Sequence, residues 1–201
     1  NKKKFIYLIS PTKITELFYV ELENILKLKK ISFFQLRLKN EKFEKKLFIA
    51  KKIKKICRKY NVKFLVNDDV NLSKKLDADG CHLGQNDMNI LEARKLIGRK
   101  IIGITCHNSI KLANFAVKNK ADYIAFGAFY SSKTKKVKHK ATIKILKKAR
   151  KILKTPIVAI GGINSSNYKK LLLNKANFLA ISSYVWKNKK LKPLDAIKKL
   201  I

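Results

Sequence analysis

Eight short apolar runs recur along the chain at intervals of about 25 residues, and nearly all of them stop at a small knot of polar or glycine residues. In order they are Phe5-Ser10, Phe33-Lys39, Phe64-Asp68, Gly80-Gly84, Ile101-Cys106, Tyr123-Phe129, Pro156-Gly162 and Phe178-Trp186. Lysine-laced stretches of helical period lie between them. Strand and helix therefore alternate, and a βα unit repeated eight times closes into a (β/α)8 barrel, an α/β fold. Residues 1–201 suit one such domain. The chemistry of a barrel of this kind collects where the strands end and the βα loops begin, so function is to be sought there.

The formal net charge of +35, from 48 basic against 13 acidic residues, invites a nucleic-acid or anionic-membrane reading. Arginine argues against it. Only Arg37, Arg58, Arg94, Arg99 and Arg150 are arginines, whereas readers of nucleic acid favour the planar, bidentate guanidinium. The lysines fall at helical spacing. Over 45–56, Leu47, Phe48, Ile49, Ile53 and Ile56 alternate with Lys45, Lys46, Lys51, Lys52, Lys54 and Lys55, the pattern of an amphipathic helix with a solvated face. The excess reads as compositional bias, with no specific nucleic-acid partner expected. In this background a single lysine carries little information, and each acid or arginine stands out.

Cys57, Cys81 and Cys106 form no paired framework and no metal-ligand spacing. A reduced, cytoplasmic protein is expected. The apolar run after Lys2-Lys3-Lys4 ends at Ser10-Pro11, and no run approaches the roughly 18 residues that span a bilayer, so no membrane is expected.

At the end of the second run, period-two geometry puts Gln35, Arg37 and Lys39 on one strand face, with Leu36 and Leu38 on the other. Two cations and an amide facing a barrel mouth ask for an anion. Five of the thirteen acids, Asp68, Asp69, Asp77, Asp79 and Asp87, fall within one short stretch. Asp68 follows the third run and Asp87 the fourth. Adjacent strands lie roughly 5 Å apart, so those two carboxylates are placed to share a hard cation such as Mg2+ with substrate phosphates. Asp69 reads as a helix cap, and Asp77 and Asp79 as turn residues.

Ile160-Gly161-Gly162-Ile163-Asn164 closes the seventh run and is expected to open a helix, while Ile181-Ser182-Ser183 closes the eighth strand. Both offer backbone N–H groups where barrels commonly bind phosphate. Ser131-Ser132-Lys133-Thr134-Lys135-Lys136, after the sixth run, is a loop suited to gripping phosphate. Thr105 ends the fifth strand and can donate a hydrogen bond into the same rim. His82 and His107 lack a nucleophile partner or ligand spacing and read as packed or capping residues.

The ordered set Gln35-x-Arg37-x-Lys39, Asn67-Asp68-Asp69, His82-Leu83-Gly84-Gln85-x-Asp87, Gly103-x-Thr105-x-His107, Thr134-Lys135 and Ile160-Gly161-Gly162-Ile163 resembles the thiamine-phosphate synthase family, from about Tyr7 to Trp186. The resemblance implies a barrel transferase that joins hydroxymethylpyrimidine diphosphate to hydroxyethyl-methylthiazole phosphate, giving thiamine monophosphate and pyrophosphate with Mg2+. It implies that Gln35, Arg37, Lys39, Asn67 and Lys135 hold the pyrimidine diphosphate, that Asp68 and Asp87 bind Mg2+, and that Thr105 replaces the usual serine beside the pyrimidine. Ser132, Thr134, Gly162, Ile181 and Ser182 would meet the thiazole phosphate. Arg37, Lys39, Thr105 and Lys135 would act in catalysis, which needs cations at the departing pyrophosphate rather than a strong base.

Two other readings compete. A related thiazole tautomerase uses a histidine after the sixth strand, where this chain has Ala128. A non-catalytic, basic polyanion-binding barrel would bind with steep salt dependence and would be indifferent to Asp68 and Asp87.

Overall fold

In the computed structural model, which describes residues 4–131 and 139–201, parallel strands pair in sequence order and the last closes on the first. The strands are β1 (Ile6–Ile9), β2 (Ile31–Leu36), β3 (Lys63–Asn67), β4 (Gly80–Leu83), β5 (Ile101–His107), β6 (Tyr123–Gly127), β7 (Ile157–Ile160) and β8 (Phe178–Ile181). Between and after them run α1 (Glu16–Lys27), α2 (Phe43–Lys59), α3 (Val70–Lys75), α4 (Ile90–Ile97), α5 (Ile110–Lys118), α6 (Ile143–Ile152), α7 (Tyr168–Leu173), α8 (Ser183–Trp186) and α9 (Pro193–Lys198). The expected (β/α)8 barrel is the fold.

Strand alternation divides the apolar residues into two cores. Ile6, Leu8, Phe34, Leu36, Phe64 and Val66 point outward into one layer with the helices. Tyr7, Ile9, Leu65, Tyr123, Ala125, Val158 and Ala180 point inward and fill the lumen. Each fully buried large apolar side chain contributes about 2 kcal/mol, so both layers are needed to hold the cylinder closed.

The helices follow the lysine pattern. In α2, Leu47, Ala50, Ile53 and Cys57 are buried at helical spacing while most of the lysines face water. Phe48 departs from the expected apolar set: it is 60% exposed, with the Lys52 ammonium 4.7 Å from its ring centroid. The cap expected at Asp69 is in place, and two more accompany it. Asp69 caps α3 by accepting from Leu72 N–H at 2.9 Å, and Asn89 and Ser109 cap α4 and α5 in the same way.

Several boundaries differ from expectation, and those after β2, β7 and β8 bear on the rim. The second run extends beyond its strand, which ends at Leu36, although Leu38 still packs into the outer core. The eighth run is a strand only to Ile181, after which the chain turns into α8 and Trp186 donates from Nε1 to the Ile9 carbonyl at 2.7 Å. A strand cannot continue there, because the apolar residues must fold over the rim to cover β1. After β7, α7 begins at Tyr168 rather than at the Gly-Gly turn, since Asn164 first makes a side-chain turn with Ser166 N–H at 2.9 Å.

The end of the barrel opposite the rim carries a device repeated three times. Asp79, Asp122 and Asn177, each following an alanine and preceding β4, β6 or β8, accept from the backbone N–H of Phe64, Ile102 and Ile157 at the start of β3, β5 and β7. The same residues return their own N–H to those residues' carbonyls at 2.8–3.0 Å. A cation then braces each one: Lys63 on Asp79 at 2.9 Å, Arg94 on Asp122 at 2.8 Å, and Arg150 on Asn177. Arg94 also donates to the carbonyls of Gly98, Lys100 and Lys120. Asp122→Ala removes the acceptor for Ile102 N–H and the ion partner of Arg94 together, so it is expected to cost about 2 kcal/mol, read as a lower urea midpoint with unchanged slope.

Candidate active site

The rim at the strand C-termini collects most of the described residues singled out in the sequence. β2 delivers Gln35 inward, in register with Ile9 on β1 and Leu65 on β3. Its amide is 3% exposed and donates from Nε2 to the Tyr7 hydroxyl at 2.7 Å. Arg37 and Lys39 stand on the loop just beyond the strand, and Arg37 is held there by its backbone N–H, which donates to Ser10 Oγ at 2.9 Å. Gln35, Arg37 and Lys39 therefore do not share one strand face: the amide is in the lumen and the cations are above it.

Lys39 reaches Asp68, with Nζ 3.4 Å from Oδ2. Asp68 follows β3 with φ of +63°, a left-handed conformation that a non-glycine residue adopts at a cost. That turn is fixed by Asp68 N–H donating to the His82 carbonyl at 2.9 Å. Asp87 is held from the next βα loop, where its Oδ2 accepts from Gly84 N–H at 2.6 Å. The two carboxylates meet. Burial, followed by the hydrogen-bonding contact with Asp68, raises Asp87 above the ordinary carboxylate range, with Gly84 N–H and Lys39 acting the other way. Asn67 ends β3 beside His82.

Thr105 lies on β5, half-buried, with Oγ1 2.8 Å from His82 Nε2. His82 is 8% exposed, its Nδ1 2.8 Å from the Tyr123 hydroxyl, and burial pushes its pKa down to about 4 against the opposing charge of Asp87. The histidine is packed and neutral, as the sequence suggested, but it is also hydrogen-bonded to a rim residue. His107 instead lies against His139, ring centroids 4.1 Å apart, and burial lowers its pKa.

On the far side, Gly161 and Gly162 have φ of +104° and +62°. A Cβ on Gly162 would lie 2.5 Å from the Ser131 carbonyl oxygen and 2.7 Å from Tyr130 Cβ, so only glycine lets the turn touch the segment after β6. Ile181 is 2% exposed and packs into the barrel wall, which leaves its backbone, not its side chain, to face a ligand. The Ser182 hydroxyl donates to the Ser10 carbonyl at 3.2 Å. Ser132, Thr134 and Lys135 lie outside the described residues.

Sequence reasoning missed Ser10, Tyr7 and Tyr123. Ser10 is 2% exposed and ties three strand ends: its N–H donates to the Gln35 carbonyl, its hydroxyl accepts from Arg37 N–H, and its carbonyl accepts from Ser182. The signal available was its place as the polar residue ending the first run. Tyr7 and Tyr123 were visible only as inward positions of their strands.

The rim thus joins two neighbouring carboxylates, the cations Arg37 and Lys39, and a bonded hydroxyl over a sealed lumen, a site suited to a divalent cation and a phosphorylated ligand. Among the described residues no group of three or more His, Cys, Asp or Glu is placed to hold a metal ion by itself, and no helix is long and apolar enough to cross a membrane.

Known proteins share this arrangement of sequence and fold. The family model described as thiamine monophosphate synthase matches residues 6–185. The thiamine-phosphate synthase of Pelagibacter ubique (strain HTCC1062) is 65% identical over 199 residues, covering 98% of this chain and 96% of that protein. That of Erythrobacter litoralis (strain HTCC2594) is 40% identical over 186 residues, covering 90% and 87%. The structure of thiamine phosphate pyrophosphorylase from Pyrococcus furiosus superposes with a TM-score of 0.86 at 28% identity, covering 98% of this chain and 93% of that one.

Proposed function

The chain belongs to the thiamine monophosphate synthase family and is a transferase of thiamine biosynthesis, and from that premise we propose that it joins a pyrimidine diphosphate to a thiazole phosphate with Mg2+. The products are thiamine monophosphate and pyrophosphate. The observation that carries this reading is the placement of Asp68 and Asp87 on adjacent βα loops of the rim, Asp68 tied by its N–H to the His82 carbonyl and by its carboxylate to Lys39, and Asp87 to Gly84 N–H.

The donor set fits the metal. Mg2+ takes one or two carboxylates and completes its shell with phosphate oxygens and water, and here two carboxylates from adjacent βα loops crowd each other. When bound, Mg2+ supplies Lewis-acid neutralisation of the diphosphate. The chain's own residues do the rest. Arg37 and Lys39 bring positive charge to the leaving diphosphate, with Lys135 assigned the same role. Asn67 and Gln35 frame the pyrimidine side, Gln35 with one amide hydrogen already committed to Tyr7. Thr105 offers its hydroxyl from β5. The Gly161-Gly162 turn and Ser182, with Ile181, Ser132 and Thr134, receive the thiazole phosphate. As pyrophosphate departs, the aminopyrimidine ring carries the developing positive charge and the thiazole nitrogen attacks, so alignment and cation placement are the protein's contribution.

Free thiols at Cys57, Cys81 and Cys106 support a reducing, cytoplasmic setting. Small-molecule substrates then account for the partners, and the lysine surface is a solvated one.

The test is pyrophosphate release measured with Mg2+ and both substrates, then with each omitted in turn. Release only in the complete mixture is expected. A folded preparation that releases none sinks the reading. Arg37→Ala is expected to lower turnover by about 100-fold or more with its thermal midpoint close to the native one, as for removal of a charge-stabilising donor. A near-normal rate would move the diphosphate elsewhere.

A further inference from the structure

Five side chains from five strands form one hydrogen-bonded line across the barrel lumen. Gln35 on β2 donates from Nε2 to the Tyr7 hydroxyl on β1 at 2.7 Å. Tyr7 and Tyr123 on β6 are joined hydroxyl to hydroxyl at 2.7 Å. Tyr123 meets His82 Nδ1 on β4 at 2.8 Å, and His82 Nε2 meets Thr105 Oγ1 on β5 at 2.8 Å. All but Thr105 are nearly sealed from water, with Tyr7 and Tyr123 only 1% and 3% exposed.

The direction of such a line is set at its start. An amide N–H can only donate, so the Tyr7 oxygen accepts from Gln35 and the Tyr7 proton goes to Tyr123. The Tyr123 proton then goes to Nδ1 of His82, which must be the bare nitrogen of a neutral ring. The remaining N–H of that ring lies on Nε2 and donates to Thr105. The Thr105 oxygen is thereby occupied as an acceptor, and its own proton is released toward the mouth.

We propose that this one-way line makes Tyr7, Tyr123 and His82 positioning residues that lock the Nε2–H tautomer of His82 and so present Thr105 as a hydrogen-bond donor to an acceptor atom of the pyrimidine diphosphate. The role at the mouth rests on the function proposed above; the polarity of the line does not. The two stacked rings support the locking: His82 and Tyr123 lie 5.6 Å apart at 14°, and Tyr123 is braced edge-on by Tyr7 at 5.8 Å. A donor suits the ligand, because a diphosphate and a pyrimidine nitrogen are both acceptors. Without the line the Thr105 hydroxyl would be free to turn inward and donate to His82, leaving only its lone pairs for the ligand.

Two measurements test it on the full chain. Long-range 1H–15N correlation spectra of the ligand-free protein report the tautomer of His82. The Nε2–H form is expected in the native chain, to weaken partly in Tyr7→Phe, where the Tyr123 hydroxyl loses the group that sets its direction, and to weaken further in Tyr123→Phe. The second measurement is turnover. Tyr123→Phe and Thr105→Val are each expected to lower kcat about tenfold, their combination no further than either alone, and Thr105→Ser to restore most of the rate. An Nδ1–H tautomer in the native chain, or losses that multiply in the double variant, would overturn the proposal. A native chain that forms no product would instead strike the functional reading, because the tautomer signal is read without substrate. Phe in place of either tyrosine keeps the ring packing, and His82→Asn, which can accept at one end and donate at the other, provides a second variant expected to retain more activity than His82→Leu.

Discussion

Asp68→Asn is expected to abolish the proposed Mg2+-dependent turnover, by about 1,000-fold or more, while leaving the ligand-free protein as stable as the native one or slightly more so. The two effects have one cause. Burial raises Asp87 first, and the hydrogen-bonding contact and like charge of Asp68 raise it further. Neutralising one partner relieves that repulsion. It also removes half of the charge that a divalent cation needs. Among the described residues, the ion pair forfeited is Lys39 with Asp68, which at 50% and 33% side-chain exposure is worth little. Asp87→Asn should behave alike in turnover, since an amide oxygen can still accept from Gly84 N–H. Comparison of rates at saturating Mg2+ with thermal midpoints in its absence checks both halves. A variant that loses activity and stability together would mean the pair is structural, and one that keeps its rate would remove the metal from these residues.

Gly103→Ala carries the second large effect, and it acts through the lumen. A Cβ there would lie 1.8 Å from Cζ of Tyr123 and 2.3 Å from both Cε atoms. Those atoms belong to a ring that is held between Tyr7, His82 and Phe33, so it cannot swing aside cheaply. The expected cost is about 3 kcal/mol or more, at the upper end of overpacking penalties, measured as a fall in the urea midpoint. Thr105 should lose its orientation at the same time, so residual folded protein is expected to turn over more slowly than native. Gly103→Ala with Tyr123→Leu, which frees space at the ring, should recover stability and not activity. If Gly103→Ala alone were neutral, the ring would not be confined as described.

How much was legible beforehand follows from the range of each interaction. Helix caps such as Asp69 are local, because donor and acceptor lie three residues apart on one chain segment, and Asp69 bonds Leu72 N–H as its sequence position suggests. The run lengths overshot where an apolar pattern continued past the sheet, as at Leu38 and at Val185, both buried outside a strand. Hydrophobic pattern reports burial, and only pairing decides whether the buried backbone is a strand. The scarcity of arginine singled out Arg37, Arg94 and Arg150 equally, yet two of them brace the closed end of the barrel rather than the rim. A guanidinium satisfies several carbonyls at once, which makes it as useful for tying loops as for binding phosphate.

The sequence by itself determined the alternation of strand and helix, its eightfold repetition, and the clustering of acids after the third and fourth strands. Each of those depends on spacing along the chain. Only the tertiary structure decided which polar groups meet: Tyr7 with Tyr123 across 116 residues, His82 with Thr105, Arg94 with Asp122, and Ser10 with three strand ends. Such pairs arise from strand register and closure of the cylinder, and a register shift of one residue would turn each inward side chain outward, so no local pattern announces them.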